Sequence, residues 1–131
     1  MGLRQMSLNY TEKHQPASAG DISTAMQQCD IQPDAWIAGF WAQSDGAMIE
    51  DLVQIYATDL IAERQQTYDI AAWFPDHLLI GDDSGGRFIL LERSAPHRFC
   101  LHDSGDPFIA DALVFSSLDA LIEAVVDESR A

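Results

Sequence analysis

The chain has 131 residues, enough for one domain whose core needs neither disulfides nor metal. Hydrophobic residues make up 47% and charged residues 21%, which excludes disorder of the whole chain. Seven Lys and Arg stand against 21 Asp and Glu, and the resulting charge of −14 argues against nucleic acid or anionic membrane as partners while speeding encounter with basic ones.

The acidic excess is not a tail: residues 1–65 carry nine acidic and three basic groups, residues 66–131 twelve and four. Cys29 and Cys100 lie far apart with no zinc-type Cys/His spacing, which predicts free, buried thiols in a reducing compartment. The first residues show no apolar run of signal-peptide length, and no window approaches a transmembrane span. A soluble cytoplasmic protein is the expectation.

Residues 1–20, polar and carrying Pro16, Ser18 and Gly20, read as an arm, with residues 21–131 as the single domain. A first helix follows Asp21, the expected cap, with Ile22, Ala25, Met26 and Cys29 on one stripe. A second starts near Pro33-Asp34, turns Trp36, Ile37, Phe40 and Trp41 inward, and stops at Ser44-Asp45-Gly46. Leu52, Val53, Ile55 and Tyr56 favour one or two short strands. Thr58-Asp59 opens a third helix carrying Leu60, Ile61, Arg64 and Tyr68, which Phe74-Pro75 breaks.

From His77 the pattern changes to short apolar runs, HLLIGD, RFILLE and RFCLHD, bounded by Gly, Pro, Asp and Ser. These predict an antiparallel meander, to which ALVF at 112–115 adds an edge strand. Ser116 or Ser117 then caps a closing helix whose Leu118, Leu121, Ile122, Val125 and Val126 keep helical spacing. The layout predicts an α+β fold with a mostly antiparallel central sheet flanked by helices.

Asp83-Ser84-Gly85-Gly86 resembles the nucleophile loop of trypsin-like proteases, but of the histidines upstream His14 lies in the tail and His77 at the start of the adjoining strand, and the chain has no room for two β-barrels. A strand rather than a helix follows Ser84, which also excludes a hydrolase elbow. The stretch reads as a hairpin turn. It is not a calcium loop either, because the twelfth position from Asp82 is Arg93. Asp82/Asp83 and Glu50/Asp51 are poor acid–base dyads, since neighbours on a strand point to opposite faces. His77, His97 and His102 fall on neighbouring strands, where a metal or catalytic pair is the minor reading beside ordinary hydrogen-bonded histidines. Trp36, Trp41 and Trp73 are expected in the core. No phosphate loop or dinucleotide fingerprint occurs. The reading is therefore no enzyme, no cofactor and no metal.

The order of these features, with IGDDSGGRFILLE as a strand-turn-strand and FSSLDALIE as a closing helix, resembles the SUKH superfamily over about residues 31–127. That superfamily includes the Smi/Knr-type cell-wall regulators of yeast and many bacterial immunity proteins. The resemblance implies a SUKH-like α+β fold without catalytic residues and a protein-binding role: neutralising a cognate secreted toxin, for example a nuclease, by stoichiometric binding. The alternative it leaves is a Smi/Knr-type regulatory or scaffolding domain that binds a cellular protein. For capture of a basic toxin domain the acidic turns are the expected contacts, namely Asp82, Asp83, Asp103, Asp106 and Asp111.

Overall fold

The structure, a computed structural model, describes residues 9–32 and 34–130. Among these, seven strands form one sheet in strict chain order, every neighbouring pair antiparallel. The strands are β1 (Tyr10–Lys13), β2 (Ala47–Ile49), β3 (Val53–Ile55), β4 (His77–Asp83), β5 (Arg87–Glu92), β6 (Phe99–Asp103) and β7 (Leu113–Phe115). Helices α1 (Ala19–Cys29) and α2 (Trp36–Trp41) lie between β1 and β2, α3 (Ile61–Thr67) and α4 (Ile70–Trp73) between β3 and β4, and α5 (Leu118–Ser129) closes the chain. The α+β fold, an antiparallel sheet flanked by helices, is as the sequence implies. No helix among the described residues is long and apolar enough to cross a membrane.

β4, β5 and β6 are apolar on both sides because both sides are covered. Cross-strand register puts Leu79, Leu90 and Cys100 on one face and Leu78, Leu91 and Phe99 on the other. The first face meets α3 and α4: Tyr68 packs edge-on to Phe88, and Phe74 edge-on to His102. The second meets α2 and α5, through Trp36 against Phe99 and an ion pair between Arg87 and Glu128. Leu121 and Ile122 of α5 are fully buried, as the spacing predicts, and Ser117 is its cap, accepting from the Ala120 N–H at 3.1 Å.

Four local expectations change. Residues 9–17 of the supposed arm belong to the domain: β1 pairs with β2, and the Ala17 N–H donates to the Trp41 carbonyl. The remainder of the arm reading, residues 1–8, lies outside the described residues, as does Pro33. Ser18, not Asp21, caps α1, its hydroxyl accepting from the Asp21 N–H at 3.1 Å, while Asp21 sits in the first turn facing the helix dipole. The third helix is two, interrupted where Asp69 adopts φ 54°. Finally, Trp73 is 58% exposed; Trp41 alone of the three tryptophans is wholly buried, its Nε1 donating to the Tyr56 carbonyl at 2.9 Å.

Two devices hold β4 in place. Gly81 lies so close to β3 that a Cβ there would stand 2.1 Å from the Gln54 carbonyl oxygen, so only glycine lets the strands approach. Arg93, just past β5, donates from Nε to the His77 carbonyl of β4 at 3.4 Å and from its other nitrogens to the Asp30 and Cys29 carbonyls at 2.9 and 3.0 Å. This puts a cation on the C-terminal end of α1, where the dipole is negative.

Candidate functional site

The turn between β4 and β5 is structural. Gly86 has φ +85°, the Asp83 carboxylate accepts from the Gly85 and Arg87 N–H groups at 3.0 and 2.8 Å, and the Arg87 Nε donates to its other oxygen at 2.8 Å. The Asp83 side chain is 2% exposed, so of the five aspartates assigned to partner capture this one is withdrawn: its charge is used inside the protein. Ser84 is exposed, and its backbone N–H donates to the Leu52 carbonyl. Asp82 is half-buried and takes a short hydrogen bond from the Tyr56 hydroxyl. Burial and that bond to a carboxylate push the Tyr56 phenol far above its ordinary value.

The other three aspartates lie at the end of β6, Asp103, and on its connection to β7, Asp106 and Asp111. Asp103 closes a turn by accepting from the Gly105 N–H at 2.8 Å, and Asp106 does the same from the Phe108 N–H at 2.8 Å. Beneath them, buried His102 donates from Nε2 to the Asp106 carbonyl at 2.8 Å, which anchors the loop on the sheet and fixes the tautomer. The Phe108 N–H holds the Asp106 carboxyl below its usual range, while the adjacent Asp106 carboxyl raises Asp111. The pair presents concentrated negative charge to solvent.

Next to this loop is a cleft of about 260 Å³. Tyr68, Trp73, Phe74 and Phe88 form its aromatic wall, and Ser104 to Pro107 the opposite rim. Asp82 faces the same side of the sheet one strand away, opposite Phe88 in register. Tyr68 and Trp73 keep 42% and 58% of their surface exposed, and Phe108, on the acidic loop, 68%. Exposed aromatic faces beside carboxylates suit a guanidinium or ammonium group, which gains cation–π contact and an ion pair together. A larger hollow of about 680 Å³ between α1 and α2 is floored by Ile22, Met26 and Ile31, and among the described residues that line it Asp30 is the one titratable group. It has no comparable convergence of polar groups.

The histidines separate. His97 is exposed, its Nδ1 donating to the Glu92 carbonyl at 3.1 Å, and His102 serves the acidic loop. His77 instead meets Glu92 and Cys100: one ligand atom from each lies within 4.8 Å of the others. The sequence pattern singled out His77 but neither companion, because Glu92 and Cys100 join it only through strand register.

No protein-family model matches the chain, and no curated protein matches it.

Proposed function

We propose that this is a non-catalytic binding protein of the immunity type, which acts in the bacterial cytoplasm by capturing the basic domain of a cognate toxin stoichiometrically. The observation that carries the docking assignment is the aromatic cleft of Tyr68 and Trp73 beside the Asp103, Asp106 and Asp111 loop, on a chain of net charge −14. Charge speeds the encounter, and the exposed rings give an arriving Arg or Lys a surface on which to desolvate. The toxin itself comes from the resemblance to the SUKH superfamily, with whose expected fold class the architecture is compatible.

The test is co-expression with the gene adjacent to this one, scored as rescue of growth. Wild-type protein rescues, and the triple variant Trp73→Ala, Asp106→Lys, Asp111→Lys does not while remaining folded. Rescue by the triple variant would remove the docking face. Failure of the wild type to rescue would favour the Smi/Knr-type alternative, a regulator of a cellular protein.

A further inference from the structure

We propose that His77, Glu92 and Cys100 form a binding site for a borderline-soft divalent transition-metal ion, with Zn²⁺ the best match. This departs from the expectation of a metal-free chain and is independent of the docking face. The three residues come from three adjacent strands, β4, β5 and β6. His77 and Glu92 are direct cross-strand partners, and Cys100 shares their face of the sheet through its neighbour Leu90. Imidazole, carboxylate and thiol within 4.8 Å of one another are a nitrogen, oxygen and sulfur donor set that hard cations do not favour. Donors about 2.0–2.3 Å from a tetrahedral zinc stand roughly 3.3–3.8 Å apart, so contraction of about 1 Å by side-chain rotation completes the geometry. The rigid sheet sets the backbone positions, and the fourth position is left for solvent.

The protonation states also suit a metal. Burial lowers His77, against the pull of Glu92 and Asp76, which keeps the imidazole neutral with a lone pair to donate. Burial raises the Cys100 thiol, so it carries its proton at neutral pH until a metal forms the S–M bond and that proton leaves to solvent. Arg98 is the resident rival. Its guanidinium and backbone N–H bond both Glu92 oxygens at 2.7–3.2 Å, yet its side chain is 50% exposed, and such a surface pair is weakly held. The other nearby cation, Arg93, is committed to main-chain carbonyls, those of Cys29, Asp30 and His77. A metal therefore displaces Arg98 from one carboxylate oxygen, and binding strengthens when Arg98 is removed.

The experiment is anaerobic titration of the full chain with Co²⁺ and then Zn²⁺, following thiolate-to-cobalt charge transfer and the intensity of the d–d bands. One equivalent of Co²⁺ is expected to give a tetrahedral spectrum with a thiolate band, which Zn²⁺ bleaches. Cys100→Ser abolishes the band, His77→Gln and Glu92→Gln each weaken binding at least about tenfold, Arg98→Ala tightens it, and Cys29→Ser changes nothing. Circular dichroism confirms that each variant is folded; if Cys100→Ser is not, His77→Gln and Glu92→Gln decide. Absence of the band in wild type, or its survival at unchanged affinity in His77→Gln and Glu92→Gln, overturns the site. So does octahedral binding indifferent to Cys100, which marks scattered carboxylates.

Discussion

Gln65 on α3 pairs with the main chain of Leu79 on β4 at both polar groups: its Oε1 accepts from the Leu79 N–H at 2.9 Å, and its Nε2 donates to the Leu79 carbonyl at 2.7 Å. β3 ends at Ile55, so β4 would otherwise carry two buried, unpaired backbone groups beyond that point. One side chain stands in for a residue of missing strand. Gln65→Leu strands both groups, and a loss of about 2–4 kcal/mol is expected, since each buried unsatisfied partner costs about 1–3 kcal/mol. Urea unfolding measures it, and Gln65→Glu should not restore it, because a carboxylate cannot donate to the carbonyl.

Gly81→Ala is expected to be worse than its chemistry suggests. The added methyl meets a backbone carbonyl in the neighbouring strand, which cannot rotate away. A loss above about 3 kcal/mol, or failure to fold, is expected. A change under about 1 kcal/mol would mean that β3 and β4 are not paired in this register.

Asp83 and Asp106 separate stability from binding. Asp83→Ala removes three hydrogen bonds from a buried carboxylate and leaves Arg87 with Glu128 alone, so destabilisation of about 2–4 kcal/mol is expected with the affinity of the folded fraction unchanged. Asp106→Lys should do the reverse, slowing association with a basic partner and flattening its salt dependence. Stopped-flow association at several ionic strengths distinguishes them.

Tyr56 gives a pH signature. An ordinary phenol titrates near 10, and here burial first, then the bond to Asp82, raises it. The unfolded chain thus loses this proton before the folded one does. The stability contributed is complete below pH 10 and falls as pH rises beyond it. Absorbance of tyrosinate in native protein at pH 11 should lack the Tyr56 contribution, which appears only on alkaline unfolding. If Tyr56→Phe lowers the native amplitude at pH 11, the assignment fails.

Elements that announce themselves in the sequence are those whose burial is periodic. α5 keeps Leu118, Leu121, Ile122, Val125 and Val126 on one side, and β4 to β6 are continuous apolar runs because helices cover both of their faces. β1 is invisible by the same logic: all four of its residues are exposed, and its membership rests on backbone bonds to β2 that leave no side-chain pattern. The acidic loop was legible as composition, but its aromatic wall was not, since Tyr68, Trp73 and Phe88 converge from three elements and Trp73 reads as a core residue until its exposure is known. Asp83 failed as a contact for a similar reason. Four residues away in sequence, Arg87 consumes its charge across the turn.

The strict chain order of the sheet carries a consequence for how the molecule comes apart. Among the described residues each strand is bonded only to its neighbours in sequence, so β1 and β7 can peel from opposite edges without disturbing the centre. Backbone amides of β4 and β5 should then exchange with deuterium only through global opening, while those of β7, whose Leu113 and Val114 are half-exposed, exchange through local fraying. The acidic loop hangs between β6 and that fraying edge. Any partner seated on it should slow exchange at β7, and this protection would map the footprint of capture without a structure of the complex.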